Sequence, residues 1–350
     1  MSWKDNVRKV TPYTPGEQPK EERVIKLNTN ENPYLPSPKV LEGMNGDMLL
    51  RKYPDPSASE LVNALAAYHG VDKKQVFVGV GSDDVLGMAF LTFFNSDKPV
   101  LFPDITYSFY PVWAELFRIP TRIIPLDDSF SIRKEDYEGD QGGIIFPNPN
   151  APTGKLLPLY EVESVISSHP ECVVIIDEAY IDFAPEGSSA LKLIDKYPNL
   201  LVVRTFSKSR SMAGLRIGYA IGQPELIEAL QSVKYSYNSY TMNMPSINWG
   251  VRSIEDDGYF RETRDKIVET RRYFTEELEK LHFKVIPSEA NFVFASHESV
   301  SAKEIFEKAR EKGIFFRYFN QPRIDDFLRI TIGTREDMDE VLSFFRKISL

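Results

Sequence analysis

Cys172-Val-Val-Ile-Ile176 runs straight into Asp177-Glu178-Ala179-Tyr180. The run is apolar, largely β-branched and free of polar alternation, which suits a strand buried on both faces of a sheet. Similar short runs recur on either side of it: Gln75–Val80, Pro99–Phe102, Arg122–Pro125, Gly143–Phe146, Asn199–Arg204 and Arg216–Ile221. Helical spacing separates several of them. Between Ser82 and Phe94 the apolar residues Val85, Leu86, Met88, Ala89 and Phe90 recur at that spacing, and Leu159–Ser168 has a comparable pattern. Strands alternating with helices predict an α/β fold whose mostly parallel, seven-stranded sheet is sandwiched by helices.

The last third of the chain reads differently. A charged helical stretch from about Asp256 to Leu281 precedes short strands at Phe283–Pro287, Asn291–Phe294, Ile314–Arg317 and Leu328–Ile332, with helices near Ala302–Lys312 and from Glu336. That mixture predicts a smaller α/β C-terminal domain. The expected division is an N-terminal arm over 1–40, a large domain over 41–255 and a small domain over 256–350. At roughly 150 residues per domain, 350 residues agree with two.

Composition narrows the function classes. Hydrophobic residues make up 42% and charged residues 27%, an ordinary globular balance that argues against a disordered or fibrous chain. The formal net charge is −9, with no basic run, so the electrostatic footprint of a nucleic-acid binder is missing. No apolar stretch nears the roughly 20 residues that span a bilayer, and the opening Met1–Lys9 lacks the apolar core of a secretory signal. The single cysteine, Cys172, has no internal disulfide partner and reads as a buried thiol. The four histidines (His69, His169, His282, His297) show no metal-ligand spacing. The expectation is a cytoplasmic protein that binds neither metal, membrane nor nucleic acid. Prolines cluster at 12–38, 54–56 and 147–158, marking extended arms and loops.

In an open parallel sheet, ligands bind beyond the carboxyl ends of the strands, and several chemistry-bearing residues fall there. Gly81-Ser82-Asp83-Asp84 opens a helix, whose free N–H groups and dipole suit a phosphate; the ordinary alternative is a helix cap. Asp177 ends an apolar strand and is placed to be desolvated unless a cation or donor compensates; the alternative is a turn cap. Lys208, in Thr205-Phe-Ser-Lys-Ser-Arg210, is a nucleophile candidate if Arg204 or Arg210 lowers its pKa, and otherwise a surface lysine. Arg216 follows eight residues later and suits a two-pronged grip on phosphate, or a surface ion pair. Pro147–Gly154 is a stiff loop carrying Asn148 and Asn150, and Tyr107 offers a face for stacking on a flat ring. Together these supply what an aromatic phosphorylated aldehyde requires: an imine-forming amine, an anion for a ring nitrogen, a phosphate nest and a stacking face.

The pattern resembles the pyridoxal-phosphate aminotransferases of class I/II nearly end to end. The marks are Leu27-Asn-Thr-Asn-Glu-Asn-Pro-Tyr34, Arg51-Lys-Tyr-Pro-Asp-Pro56, Gly79–Asp84, Pro147–Gly154, Asp177–Tyr180, Arg204–Ser209, Gly214-Leu-Arg-Ile-Gly218 and Leu328-Arg-Ile-Thr-Ile-Gly-Thr334. The resemblance implies the fold of type I pyridoxal-phosphate transferases and the cofactor pyridoxal 5′-phosphate. It implies that Lys208 bonds the cofactor through its ε-amine and later shuttles a proton between Cα and the cofactor's C4′. Asp177 would pair with the ring nitrogen and Tyr180 with the ring's 3-oxygen. Ser82, Asp83, Ser207 and Arg216 would hold the phosphate, and Tyr107 would stack on the ring. Tyr53 would reach the phosphate of a neighbouring subunit, making the active unit a homodimer. Arg329, Arg317, Tyr13 and Asn32 would contact substrate.

The resemblance is closest to the branch that acts on histidinol phosphate. It implies transfer of the amino group from that donor to 2-oxoglutarate, with an aromatic-amino-acid aminotransferase or a threonine-phosphate decarboxylase as alternatives. Three positions depart from the family pattern. Ala151 stands where an asparagine commonly contacts the ring's 3-oxygen, so Asn150 or Asn148 is expected to take over. Leu35 replaces a glycine, and Asp84 a glutamate.

Overall fold

The computed structural model describes residues 11, 17, 19, 24–42 and 52–348. Along the chain the strands are β1 (Ile25–Lys26), β2 (Val76–Gly79), β3 (Val100–Pro103), β4 (Thr121–Ile124), β5 (Gly143–Pro147), β6 (Val173–Asp177), β7 (Leu200–Thr205), β8 (Gly218–Gly222), β9 (Phe283–Ile286), β10 (Phe292–His297), β11 (Ile314–Phe315), β12 (Arg317–Tyr318) and β13 (Leu328–Thr331). The α-helices are α1 (Pro38–Glu42), α2 (Ser59–His69), α3 (Ser82–Phe93), α4 (Phe109–Phe117), α5 (Leu159–Ser167), α6 (Pro224–Tyr237), α7 (Met244–Glu255), α8 (Asp257–Lys280), α9 (Ala302–Glu311) and α10 (Arg335–Ile348).

Seven strands form the main sheet in the order β2-β8-β7-β6-β5-β3-β4. The α/β architecture and the mostly parallel seven-stranded sheet are as expected. β8 alone runs against its neighbours, antiparallel to both β2 and β7. Alternate residues of the strands enter different layers, as the period of two requires. Val174, Ile176, Leu200 and Val202 join one core with Leu61 and Leu65 of α2, Val162 and Ile166 of α5, and Ile247 of α7. Ile175, Leu201 and Val203 join the opposite core with Val85 and Phe90 of α3, Trp113 of α4, and Leu230 of α6. Both faces are therefore covered, which is why these strands are apolar throughout. Burying each large side chain contributes about 2–3 kcal/mol of transfer free energy.

The C-terminal part builds a four-stranded antiparallel sheet, β12-β13-β10-β9, against α8, α9 and α10. α8 places Phe260, Ile267, Phe274 and Leu278 on its buried side, together with Arg271, whose guanidinium is paired with Glu289 at 2.5 Å. One expected strand, Ile314–Arg317, is two. β11 pairs in parallel with β1, and β12 pairs with β13, so the chain changes sheets at Phe316. The arm is thereby built into this part: Leu27 donates its N–H to the Phe315 carbonyl and accepts from Thr331 N–H. The expected boundaries at 40 and 255 do not capture that union of arm and C-terminal sheet.

Candidate active site

The carboxyl edge of the main sheet carries a cavity of about 140 Å³ lined by Ser82, Asp83, Tyr107, Pro147, Ala151, Asp177, Ala179, Tyr180, Thr205, Ser207, Lys208, Ala213 and Arg216. Eight of the expected residues meet there. Each reaches it because a strand ends there, except Arg216, which precedes β8. Since β8 is reversed, its amino end lies at the carboxyl edge of the others, with Gly218 opposite both Gly79 and Thr205. Arg216 holds φ at 51°, a left-handed conformation costly for a bulky residue. Its guanidinium lies across Gly81, where a Cβ would collide with it, and a Cβ on Gly218 would overlap the Gly81–Ser82 backbone. Two glycines thus let a guanidinium and a helix N-terminus converge, a cradle for an anion. Arg216 Nη2 contacts Asp83 Oδ2 at 3.3 Å, and Nη1 donates to Ser207 Oγ at 3.3 Å.

Asp177 ends β6 on the α3–α4 side. It accepts from Tyr110 Oη at 3.0 Å and from the Ala179 N–H at 3.1 Å, both neutral donors. Burial pushes its carboxyl up to about 6, partly offset by those two bonds. A cation in the cavity would offset the desolvation that the neutral donors leave. Tyr107 donates to Asp83 Oδ1 at 2.8 Å, which fixes its ring in the cavity wall. Lys208 Nζ donates to the Thr29 carbonyl at 3.1 Å and lies 5.8 Å from the centre of the Tyr180 ring. Tyr180 Oη accepts from Asn30 Nδ2 at 3.0 Å. Amine, buried carboxylate, anion cradle and aromatic wall fit the phosphorylated aldehyde that the sequence pattern implies. Among the described residues there is no cluster of three or more His, Cys, Asp or Glu that could hold a metal ion.

Other expectations need correction. Arg204 and Arg210 do not flank the Lys208 amine. Arg204 is committed to Glu178 (2.8 Å) and to Ser189 (2.7 Å). Arg210 donates to the Ser253 carbonyl and packs 4.2 Å from the centre of the Phe260 ring. The two asparagines expected to take over from the one missing at 151 are engaged with the protein itself. Asn150 spends its amide hydrogens on the Ile105 carbonyl and Thr153 Oγ1, and lines a different cavity. Asn148 closes a two-way bridge to the Leu157 backbone. Asn32 buttresses the lysine: its Nδ2 donates to the carbonyls of Lys208 (3.0 Å) and Ser209 (3.1 Å), and its Oδ1 accepts from Tyr34 N–H.

Arg317 and Arg329 sit opposite each other on β12 and β13, both within 5.7 Å of the Phe319 ring. Arg329 Nη2 donates to the Asn28 carbonyl at 3.2 Å. Neither lines the lysine cavity; Arg317 lines an adjoining cavity with Ile105 and Pro152. Tyr53 is 81% exposed and its ring lies 4.8 Å from that of Tyr240. Tyr13 lies outside the described residues. Cys172 is half-buried rather than buried, and burial pushes its thiol up to about 11. Sequence reasoning missed Tyr110 and Asn30. Tyr110 reads as one more aromatic in an apolar helix. Asn30 stands inside Leu27–Tyr34, whose composition marks a segment without saying which amide matters.

The sequence profile described as aminotransferase class I and II matches residues 22–345. A histidinol-phosphate aminotransferase 1 of Hydrogenovibrio crunogenus is 53% identical over 337 residues, covering 96% of this chain and 94% of the relative. A histidinol-phosphate aminotransferase of Clostridium beijerinckii is 51% identical, covering 99% and 97%. The crystal structure of histidinol-phosphate aminotransferase from Sinorhizobium meliloti in complex with pyridoxal-5′-phosphate has a TM-score of 0.82 at 24% identity, covering 93% of this chain and 90% of that one. At that identity it bears on the fold. With the profile spanning nearly the whole chain and relatives above 50% identity, this protein belongs to the class I and II aminotransferase family.

Proposed function

We propose that the protein uses pyridoxal 5′-phosphate to transfer the amino group of L-histidinol phosphate to 2-oxoglutarate, giving imidazole-acetol phosphate and glutamate in histidine biosynthesis. The observation that carries the chemistry is the convergence of Lys208, Asp177 and Arg216 on one cavity. The relatives named above support the substrate. So does the pairing of Arg317 with Arg329, two cations side by side next to the site, which suits a doubly charged phosphate ester.

When bound, the cofactor supplies an electron-accepting ring that stabilises negative charge at the donor's Cα. The chain's residues do the rest. Asp177 holds a counter-charge for the ring nitrogen inside a dry wall. Arg216, Ser207 and the N-terminus of α3, at Ser82 and Asp83, bind the phosphate. Tyr107 covers one face. Lys208 holds and moves a proton at its Nζ. Tyr180 donates to the ring's 3-oxygen, and with Ala151 in the loop it does so without an asparagine beside it. Asn32 serves by holding the Lys208 backbone rather than by touching substrate. Tyr53 contributes to a neighbouring subunit of a cytoplasmic homodimer; its exposure beside Tyr240, itself exposed, supports such an interface. The small part over 256–350, together with the arm, carries the substrate-binding cations. Among the described residues no helix is long and apolar enough to cross a membrane.

Steady-state assays test this reading. The expected result is rapid turnover of histidinol phosphate with 2-oxoglutarate and slow turnover of phenylalanine. Rapid turnover of phenylalanine with none of histidinol phosphate contradicts it, as does release of carbon dioxide without an oxo-acid acceptor.

A further inference from the structure

We propose that Asn30 and Thr331 form a hydrogen-bond relay that fixes the direction of the Tyr180 phenol proton, aiming it into the cofactor cavity. The inference rests on the cofactor reading above and extends it to two residues outside the cavity wall.

The polarity of the relay is set by the orientation of the Asn30 amide. The Asn30 backbone N–H donates to Thr331 Oγ1 at 3.0 Å. The Thr331 hydroxyl, having accepted there, spends its own hydrogen on Asn30 Oδ1 at 3.0 Å. The Asn30 amide is oriented with Oδ1 toward that hydroxyl, which turns its other end the opposite way. The end that faces Tyr180 is therefore Nδ2, which donates to the phenol oxygen at 3.0 Å. Tyr180 has one hydrogen, and this bond does not use it. Among the described residues no protein group accepts that hydrogen, and Tyr180 lines the cavity. The proton is left for an acceptor placed there.

The segment is held so that the relay cannot drift. Asn30 and Thr331 are buried, at 1% and 2% exposure. The Asn30 carbonyl accepts from Asn291 Nδ2 at 3.1 Å, and Thr331 is the last residue of β13. Asn30 holds φ at 56°, a left-handed bend that asparagine tolerates better than most residues. That bend turns its side chain to Tyr180 while the preceding carbonyl, of Thr29, meets the Lys208 amine. Asn30 is thus a positioning residue. Because Asn150 and Asn148 are engaged elsewhere, Tyr180 is the donor through which the chain acts on the ring's 3-oxygen, and the relay sets whether it donates.

A donor to an oxygen that carries negative charge favours the deprotonated chromophore, so its loss raises the pH midpoint of the visible absorbance change. The experiment is a spectroscopic pH titration of cofactor-loaded wild type, Thr331→Val, Thr331→Ser, Asn30→Asp and Asn30→Gly. Glycine tolerates the left-handed bend, and aspartate keeps the shape while replacing the donor with an acceptor that draws the phenol proton away. The expected result is an upward shift of about half to one pH unit in Thr331→Val, Asn30→Gly and Asn30→Asp, and a midpoint near wild type in Thr331→Ser, which keeps the hydroxyl. Unchanged midpoints in Thr331→Val and Asn30→Asp overturn the relay. So does a shift in Thr331→Ser equal to that in Thr331→Val, because the effect would then follow packing instead of the hydroxyl. A borohydride-reducible cofactor adduct that persists in Lys208→Ala overturns the cofactor reading itself and the relay with it.

Discussion

Asp177 and Glu178 are adjacent in sequence and both buried, yet they occupy different faces of the sheet edge and have opposite fates. Glu178 lies on the α2–α5 side, where it meets the Arg204 guanidinium at 2.8 Å, Ser189 Oγ at 2.8 Å and the Ala190 N–H at 2.6 Å. Burial pushes its carboxyl up, and Arg204 with these donors pulls it back. Asp177 has one phenol and one backbone N–H, and it opens onto the cavity. One carboxylate is satisfied by the fold. The other is left short of a counter-charge that only a ligand supplies. The lesson is that the functional group of such a pair is the one whose burial the protein does not compensate.

The contrast can be broken by mutation. The largest effect belongs to Glu178→Ala, which leaves the buried Arg204 dependent on its longer 3.6 Å ion pair to Asp182 and lowers stability by about 3–5 kcal/mol. Urea unfolding of the cofactor-free protein measures it. Asp177→Asn moves the other way. A carboxyl raised to about 6 in the folded state from 3.8 takes up protons on folding between those values, so its ionisation costs stability as pH rises through them and costs nothing below. The replacement therefore stabilises the cofactor-free protein by up to about 3 kcal/mol above pH 6, and the gain vanishes near pH 4. The same urea titrations at several pH values check both sign and window. A cofactor-free Asp177→Asn protein less stable than wild type at pH 7 would mean that the fold compensates Asp177 after all.

Smaller effects sharpen the picture around the lysine. Asn32→Ala removes two hydrogen bonds to the Lys208–Ser209 backbone and lowers stability by about 1–2 kcal/mol. It also lowers kcat more than it changes KM, since the amine rather than the substrate site is loosened; steady-state kinetics separates the two. The smallest effect falls at the other end of the same strand. Cys172 sits just before β6, away from the cavity, with its thiol raised to about 11 by burial. At pH 8 the thiolate is about 0.1% of the total, so alkylation of the folded protein is slow and leaves activity unchanged. Following modification by mass spectrometry alongside activity tests this.

The sheet was largely legible because burial on both faces makes its inner strands apolar, a pattern that a single sequence shows; the edge strand β4, Thr-Arg-Ile-Ile, is the exception. β6 and β7 differ from the expected spans by a residue at each end. The reversal of β8 was not legible, since an apolar strand reads the same in either direction. For that reason Arg216 could be nominated for the pocket without a reason for its reaching it. Lys208, Asp177, Tyr107 and Tyr180 were legible from their places after strands and from the family pattern. The surroundings were not. Arg204 and Arg210 stand near Lys208 in sequence, but alternation along β7 and the turn after it send both guanidinium groups to the far face. The roles of Asn30, Asn32, Asn148 and Asn150 depend on partners up to 301 residues away, which no local pattern encodes.

The account stands on a covalent bond between one amine and an aldehyde cofactor. The direct test is borohydride reduction of the cofactor-loaded protein, proteolysis, and mass mapping of the modified peptide. The expected result is a single adduct on Lys208, absent from Lys208→Ala. An adduct on another lysine, or none in a protein that binds the cofactor and turns over substrate, would contradict it.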